Sequence, residues 1–190
     1  MRELTPGAVI MRPSVIFGAE DQFFNKFAAM AAMSPALPLI GFGKTRFQPV
    51  YVADVARAIV TALDTPSAWG RTFELGGPNT YTFREILELV LAETGRRRAL
   101  VPLPFFAASA IGAVADLVAP ISPWAPPLTR DQVELLKTDN VPSGGAPGFA
   151  DLGITPVAAE GIIDAYLYRF RKAGQFSTLE PQKSASGAGP

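Results

Sequence analysis

Ala8-Val9-Ile10-Met11-Arg12-Pro13-Ser14-Val15-Ile16-Phe17-Gly18 is the stretch whose reading decides the fold. Four apolar residues in a row, stopped by Arg12-Pro13, suit a strand buried on both faces of a parallel sheet rather than a half-solvated strand with alternating polarity. Gly18 closes a turn, and from Glu20 to Met33 the apolar residues Phe23, Phe24, Phe27, Ala28, Met30 and Ala31 recur at helical spacing. The acidic Glu20 and Asp21 stand at the positive end of that helix dipole, and Pro35 and Pro38 follow its end. A buried strand running through a turn into a helix is the repeating unit of α/β folds.

Downstream, Leu37–Ile40 and Arg46–Val52 read as two extended pieces around a hairpin turn at Gly41-Phe42-Gly43. Lys44-Thr45 after those glycines imitates a phosphate loop, but the spacing between glycines and the following helix are wrong. A helix is expected over 54–63 with Asp54 as its cap, then a strand over 71–75 punctuated by Gly76-Gly77-Pro78. Thr82-Phe83-Arg84-Glu85 is a capping-box pattern opening a helix to Thr94, with Gly95 as its stop. The Arg96-Arg97-Arg98 run at that end suits the negative pole of the helix. Helices are then expected over 105–118, from a second box at Thr129 and Gln132, and over 157–172, separated by a Pro/Gly/Ser-rich loop at 141–148. There is no internal repeat. Residues 1–103 read as the edge of an α/β domain with an incomplete parallel sheet, 104–176 as an attached helical subdomain, and 177–190 as a disordered tail.

Composition narrows the chemistry. The 190 residues are 48% hydrophobic, with 17 basic side chains against 17 acidic ones. Zero net charge argues against general nucleic-acid binding. With neither His nor Cys, the chain cannot build a Ser-His-Asp triad, a histidine-zinc centre or a thiolate nucleophile, so neither a metal centre nor a catalytic residue is assigned. The N-terminus has no secretory signal pattern. The apolar run over 101–121 is broken by three prolines and Asp116, short of the ~20 residues a span requires, although its helix could rest on a membrane surface or a partner.

Pro13, Ser14 and Val15 lie where a buried strand ends, the edge at which open α/β sheets bind ligands. Pro13 has no N–H, so Ser14 and Val15 would supply the backbone groups and Ser14 a hydroxyl, a set able to read a carboxamide. A strand stop and tight turn explains the same residues. Phe24, Phe47 and Val50 are candidates for a substrate pocket or for core.

Taken together, Arg12–Gly18, Glu20-Asp21-Gln22-Phe23-Phe24-Asn25, Phe47–Ala56, Phe73–Pro78 and Leu128–Leu136 resemble the atypical short-chain dehydrogenase/reductase family of the nucleotide-binding accessory subunit of respiratory complex I, the alpha subcomplex subunit 9-like family. The resemblance covers nearly all of residues 8–176. It implies an extended short-chain-dehydrogenase Rossmann fold that binds NADH or NADPH, with Pro13, Ser14 and Val15 beside the nicotinamide and a helix-rich subdomain on the substrate side. The family's Gly-rich pyrophosphate turn and the Tyr-x-x-x-Lys pair expected upstream of this strand do not occur here; Tyr166 and Tyr168 lie in the final helix, where Lys172 stands in the wrong context for that pair. The resemblance therefore implies a C-terminal half. Its expected role is structural and nucleotide-binding rather than catalytic, and weak in nucleotide affinity by itself. Its expected partners are other complex I subunits or the N-terminal half. It is expected peripherally on the cytoplasmic face of a bacterial inner membrane, or the matrix face of a mitochondrial one. A fragment of a free-standing reductase or epimerase, and a membrane-surface adaptor, are the alternatives.

Overall fold

The structure, a computed structural model, describes residues 5, 7–118, 130–172 and 174. The expected tail and Thr129 of the second capping box lie outside the described residues. Among the described residues the strands and helices follow one another as β1 (Ile10–Pro13), β2 (Ile16–Phe17), α1 (Phe24–Met33), β3 (Ala36–Ile40), β4 (Arg46–Phe47), β5 (Val50–Tyr51) and α2 (Val52–Asp64). Then come β6 (Thr72–Leu75), β7 (Tyr81–Thr82), α3 (Phe83–Glu93), β8 (Ala99–Leu103), α4 (Phe105–Val118), α5 (Arg130–Leu135) and α6 (Glu160–Leu167).

Three of the four strand pairs are parallel: β1 with β6, β2 with β5 and β3 with β8. The extended run from Ile10 to Phe17 thus pairs first with β6 and then with β5, Ser14 and Val15 bridging the two. Parallel pairing of strands separated by helices is the Rossmann-type arrangement. β1 is only partly buried, contrary to the continuous apolar run. Val9 and Met11 pack on one side, against the small core of Val50, Val55, Phe73 and Leu75 beneath α2. On the other side the Arg12 guanidinium is exposed and lies 3.9 Å from Glu74.

The hairpin expected at Gly41–Gly43 does not form. β3 runs parallel to β8, whereas β4 pairs antiparallel with β7. The glycines instead make a tight turn in which Gly41, Phe42 and Gly43 all have positive φ, so the chain leaves one strand pair for another. The β8 strand was not legible because Pro102 interrupts it. Its mostly exposed residues mark an edge, where a missing N–H is tolerated.

Helix α1 starts later than Glu20 because the Asp21 carboxylate caps it. Asp21 Oδ1 accepts the N–H groups of Phe23 at 2.8 Å and Phe24 at 2.6 Å. Helix α2 starts earlier than expected, at Val52, which places Asp54 inside the first turn rather than at the cap. Asp54 is buried, accepting the Val157 N–H at 2.7 Å and an Arg57 guanidinium bond at 2.5 Å. The Thr82/Glu85 capping box forms at the start of α3. The last helix is shorter than 157–172: α6 covers Glu160–Leu167 and tightens into a turn at Tyr168–Phe170.

The larger core draws on both sides of residue 103, joining Phe24 and Phe27 of α1, Leu37 and Leu39 of β3, and Ile86 and Leu87 of α3 to Ile163 and Leu167 of α6. Edge-to-face aromatic pairs run through it, with Phe17 against Phe24 at 5.8 Å and Phe27 against Phe83 at 5.2 Å between ring centres.

Candidate functional site

Pro13 ends β1, and the next residue knits three segments together. The Ser14 N–H donates to the Leu75 carbonyl at 2.9 Å, continuing the β1–β6 ladder. Its hydroxyl donates to the Asn140 carbonyl at 2.6 Å and accepts the Gln48 N–H at 3.2 Å. The Val15 carbonyl accepts the Val50 N–H at 2.9 Å, and Asn140 donates its own N–H to Arg46 at 2.8 Å. Above this junction the Gly76-Gly77 turn crosses the chain at Pro49 so closely that a Cβ on Gly77 would lie 2.0 Å from the Pro49 carbonyl oxygen. The Gln48 side-chain amide closes that crossing with a 2.6 Å bond to the Gly77 carbonyl.

A cavity of about 320 Å³ opens beside the junction, between α1, β4 and α5. It is lined by Phe23, Phe27 and Met30 of α1, by Phe47 of β4, by Leu135 and Leu136, and by Val15. Lys26 and Gln132 also border it, the Lys26 ammonium donating to Gln132 Oε1 at 2.5 Å. Burial lowers the Lys26 pKa from its ordinary range, because removing water penalises the charged form.

Of the residues singled out in the sequence, Val15 and Phe47 line this cavity. Ser14 lies just behind its wall, buried. Phe24 and Val50 do not reach it; both are fully buried, Phe24 in the larger core and Val50 in the smaller one. Sequence reasoning passed over Lys26, although a signal was there: Phe23, Lys26, Phe27 and Met30 fall at i, i+3, i+4 and i+7, so the lysine sits within an apolar helical stripe. Leu136 and Asn140 carried no comparable signal, since tertiary folding alone brings them to α1.

The buried tyrosine of α6 is structural. The Tyr166 hydroxyl donates to Asp21 at 2.8 Å, and burial followed by the neighbouring Asp21 charge pushes its pKa up. No group of carboxylates arranged to hold a metal ion occurs among the described residues. No helix among them is long and apolar enough to cross a membrane.

Residues 5–76 match the NAD dependent epimerase/dehydratase family. The chain is 40% identical over 174 residues to the mitochondrial NADH dehydrogenase (ubiquinone) 1 alpha subcomplex subunit 9 of Arabidopsis thaliana, a match over 89% of this chain and 43% of that protein. With the Mus musculus protein of the same name it shares 42% identity over 161 residues, 84% of this chain and 41% of that one. The chain belongs to the alpha subcomplex subunit 9-like family. It spans less than half the length of these relatives. Its Rossmann-like α/β fold is shared with UDP-glucose 4-epimerase of Thermotoga maritima, at a TM-score of 0.58 and 18% identity over 87% of this chain and 46% of that one, a likeness of fold alone.

The family's description names NAD, and the turn at 13–15 can be tested for its fit to a nicotinamide. Pro13 has no amide hydrogen, and the Ser14 donors are already engaged by Leu75 and Asn140. The donor set expected of Ser14 is therefore spent on the fold, which leaves the Val15 amide as the hydrogen-bond donor this turn could offer. Among the described residues no Gly-rich turn stands at a helix N-terminus to cradle a pyrophosphate.

Proposed function

We propose that this chain is the C-terminal portion of an NAD(P)H-binding accessory subunit of respiratory complex I, with a structural rather than catalytic role. The observation that carries the reading is the 40% identity to the plant complex I subunit, sustained over 89% of the chain. Its nucleotide contact would fall on Pro13, Ser14 and Val15, with the Val15 amide as donor and Ser14 holding the turn in place. Those residues follow a strand in a parallel pair, the end from which sheets of this class bind ligands.

The partner half would dock on β1. Ile10 and Ser14 donate towards β6, so Val9 and Met11 direct their backbone groups to the opposite side, where β1 has no strand partner among the described residues. The outer side of β6, by contrast, is covered, since the Glu74 N–H donates to the Pro147 carbonyl at 2.9 Å. The two relatives are mitochondrial by name, which supports a mitochondrial setting rather than a bacterial one; a peripheral position on the matrix side is part of the proposal.

The test uses a family-length protein carrying this sequence. NADPH fluorescence titration should show binding that weakens up to about tenfold in Val15→Pro, the loss of one hydrogen bond to a neutral group. The same protein should migrate with complex I subunits on native gels and should not oxidise NAD(P)H with carbonyl substrates. Turnover abolished by a change within this chain would favour a free-standing reductase. Unchanged affinity in Val15→Pro would remove the turn from the nucleotide site.

A further inference from the structure

We propose that the cavity between α1, β4 and α5 binds a single-chain amphipathic carboxylate, its alkyl body against Phe23, Phe27, Phe47 and Leu136 and its carboxylate on the Lys26 ammonium. This goes beyond the nucleotide reading and does not depend on it.

The walls argue first for an apolar body. Phe47 and Leu136 are buried, Phe27 is 7% exposed, and Met30 completes a surface to which no carboxylate contributes among the described residues. A volume of about 320 Å³ lies at the small end of ligand sites, which run to roughly 300–1,000 Å³ and are mostly apolar with few polar groups to fix orientation. One alkyl chain suits that space better than a branched or two-tailed molecule.

Charge argues next for the head. Lys26 is the one charged residue in the lining, and no carboxylate lies within ion-pair distance of it among the described residues. Its partner is the neutral Gln132 amide oxygen, which takes one of the three donors of an ammonium. The remaining donors face a partly dehydrated space, where an opposite charge is worth more than in water. Gln22 and Asn140 border the same cavity. A lone ammonium without an arginine fork matches a singly charged carboxylate rather than a phosphate dianion, which is typically met by bidentate or multiple cationic contacts. The depressed Lys26 pKa agrees, since a bound anion would restore the charged form that burial disfavours.

Isothermal titration of the chain with dodecanoate, dodecanol and dodecyltrimethylammonium, each below its micelle concentration, tests the proposal. Dodecanoate should bind with one site per chain, the alcohol more weakly and the cation not at all. Lys26→Met should weaken dodecanoate by at least about tenfold while leaving dodecanol unchanged, and Lys26→Arg should retain most of the affinity. Met30→Trp, which fills the space without touching the charge, should abolish binding of both acid and alcohol. Circular dichroism confirms that each variant is folded. Equal binding of all three amphiphiles, no binding of dodecanoate, or a Lys26→Met variant with unaltered affinity would each overturn it. Because NADPH is absent from this experiment, its failure is separate from failure of the nucleotide reading.

Discussion

Ser14 illustrates how a hydroxyl at the end of a parallel strand can be consumed by the fold. Its bonds to Asn140 and Gln48 hold together segments far apart in sequence, and the residue is 7% exposed. Ser14→Ala leaves a buried carbonyl without its hydroxyl donor, so stability should fall by about 1–3 kcal/mol in urea unfolding. If the hydroxyl instead faced the nucleotide alone, stability would hold and only NADPH affinity would drop. Asp54 makes the same point with a charge. Removing it in Asp54→Ala strands the Val157 N–H and breaks the bond from Arg57, and a loss of about 1.5–3 kcal/mol is expected, the range for hydrogen bonds to ionised groups. An exposed helix-capping aspartate would cost only about 1 kcal/mol, so equilibrium unfolding separates the buried tie from the cap.

At the level of elements, the junction between β7 and α6 carries a proton-linked contribution. The Tyr81 hydroxyl donates to the Glu160 carboxylate, and burial followed by that bond raises its pKa to about 12. The folded chain therefore holds this proton more tightly than the unfolded chain, whose tyrosine ionises near its ordinary value of 10. The resulting stabilisation is fully present below pH 10 and is lost as pH rises through about 12. Urea midpoints measured across this window should fall with pH, and the fall should be smaller in Tyr81→Phe. Some slope should persist in that variant, because the Tyr166 pKa is also raised. An identical slope in the two proteins would mean that Tyr81 is not the linked group.

For the whole molecule, the decisive feature is the side of β1 that has no strand partner among the described residues. An uncovered strand edge is a template for another chain. In addition, α2 leaves Val52, Ile59, Val60 and Leu63 exposed at helical spacing, an apolar stripe on the side away from its core. The chain by itself should self-associate, with sedimentation velocity showing species larger than a monomer. A family-length protein should show none of this association, and a charge placed by Ile59→Lys should reduce it in the short chain. A clean monomer that unfolds cooperatively at high concentration would contradict the reading that β1 needs a further strand.

Read from residue types and their spacing, the chain already determined much about itself: the helical stripe of α1, the capping box of α3, the strand ending at Pro13, and a chemistry without histidine or cysteine. These are local matters, set by side-chain periodicity, by the missing proline N–H and by bonds between residues three or four apart. Tertiary structure decided which strands pair. The turn at Gly41–Gly43 carries hairpin residues, yet β3 goes to β8 and β4 to β7, because those pairings bury Leu37, Leu39 and Phe47 in the larger core. It also decided the candidate site. Phe24 and Phe47 look alike in sequence and both join the larger core, but only Phe47 also borders the cavity, and Lys26 gained its neutral partner Gln132 from more than a hundred residues away. Such placements depend on contacts between distant segments, whose free energy comes from joint burial and is encoded in no single stretch of the chain.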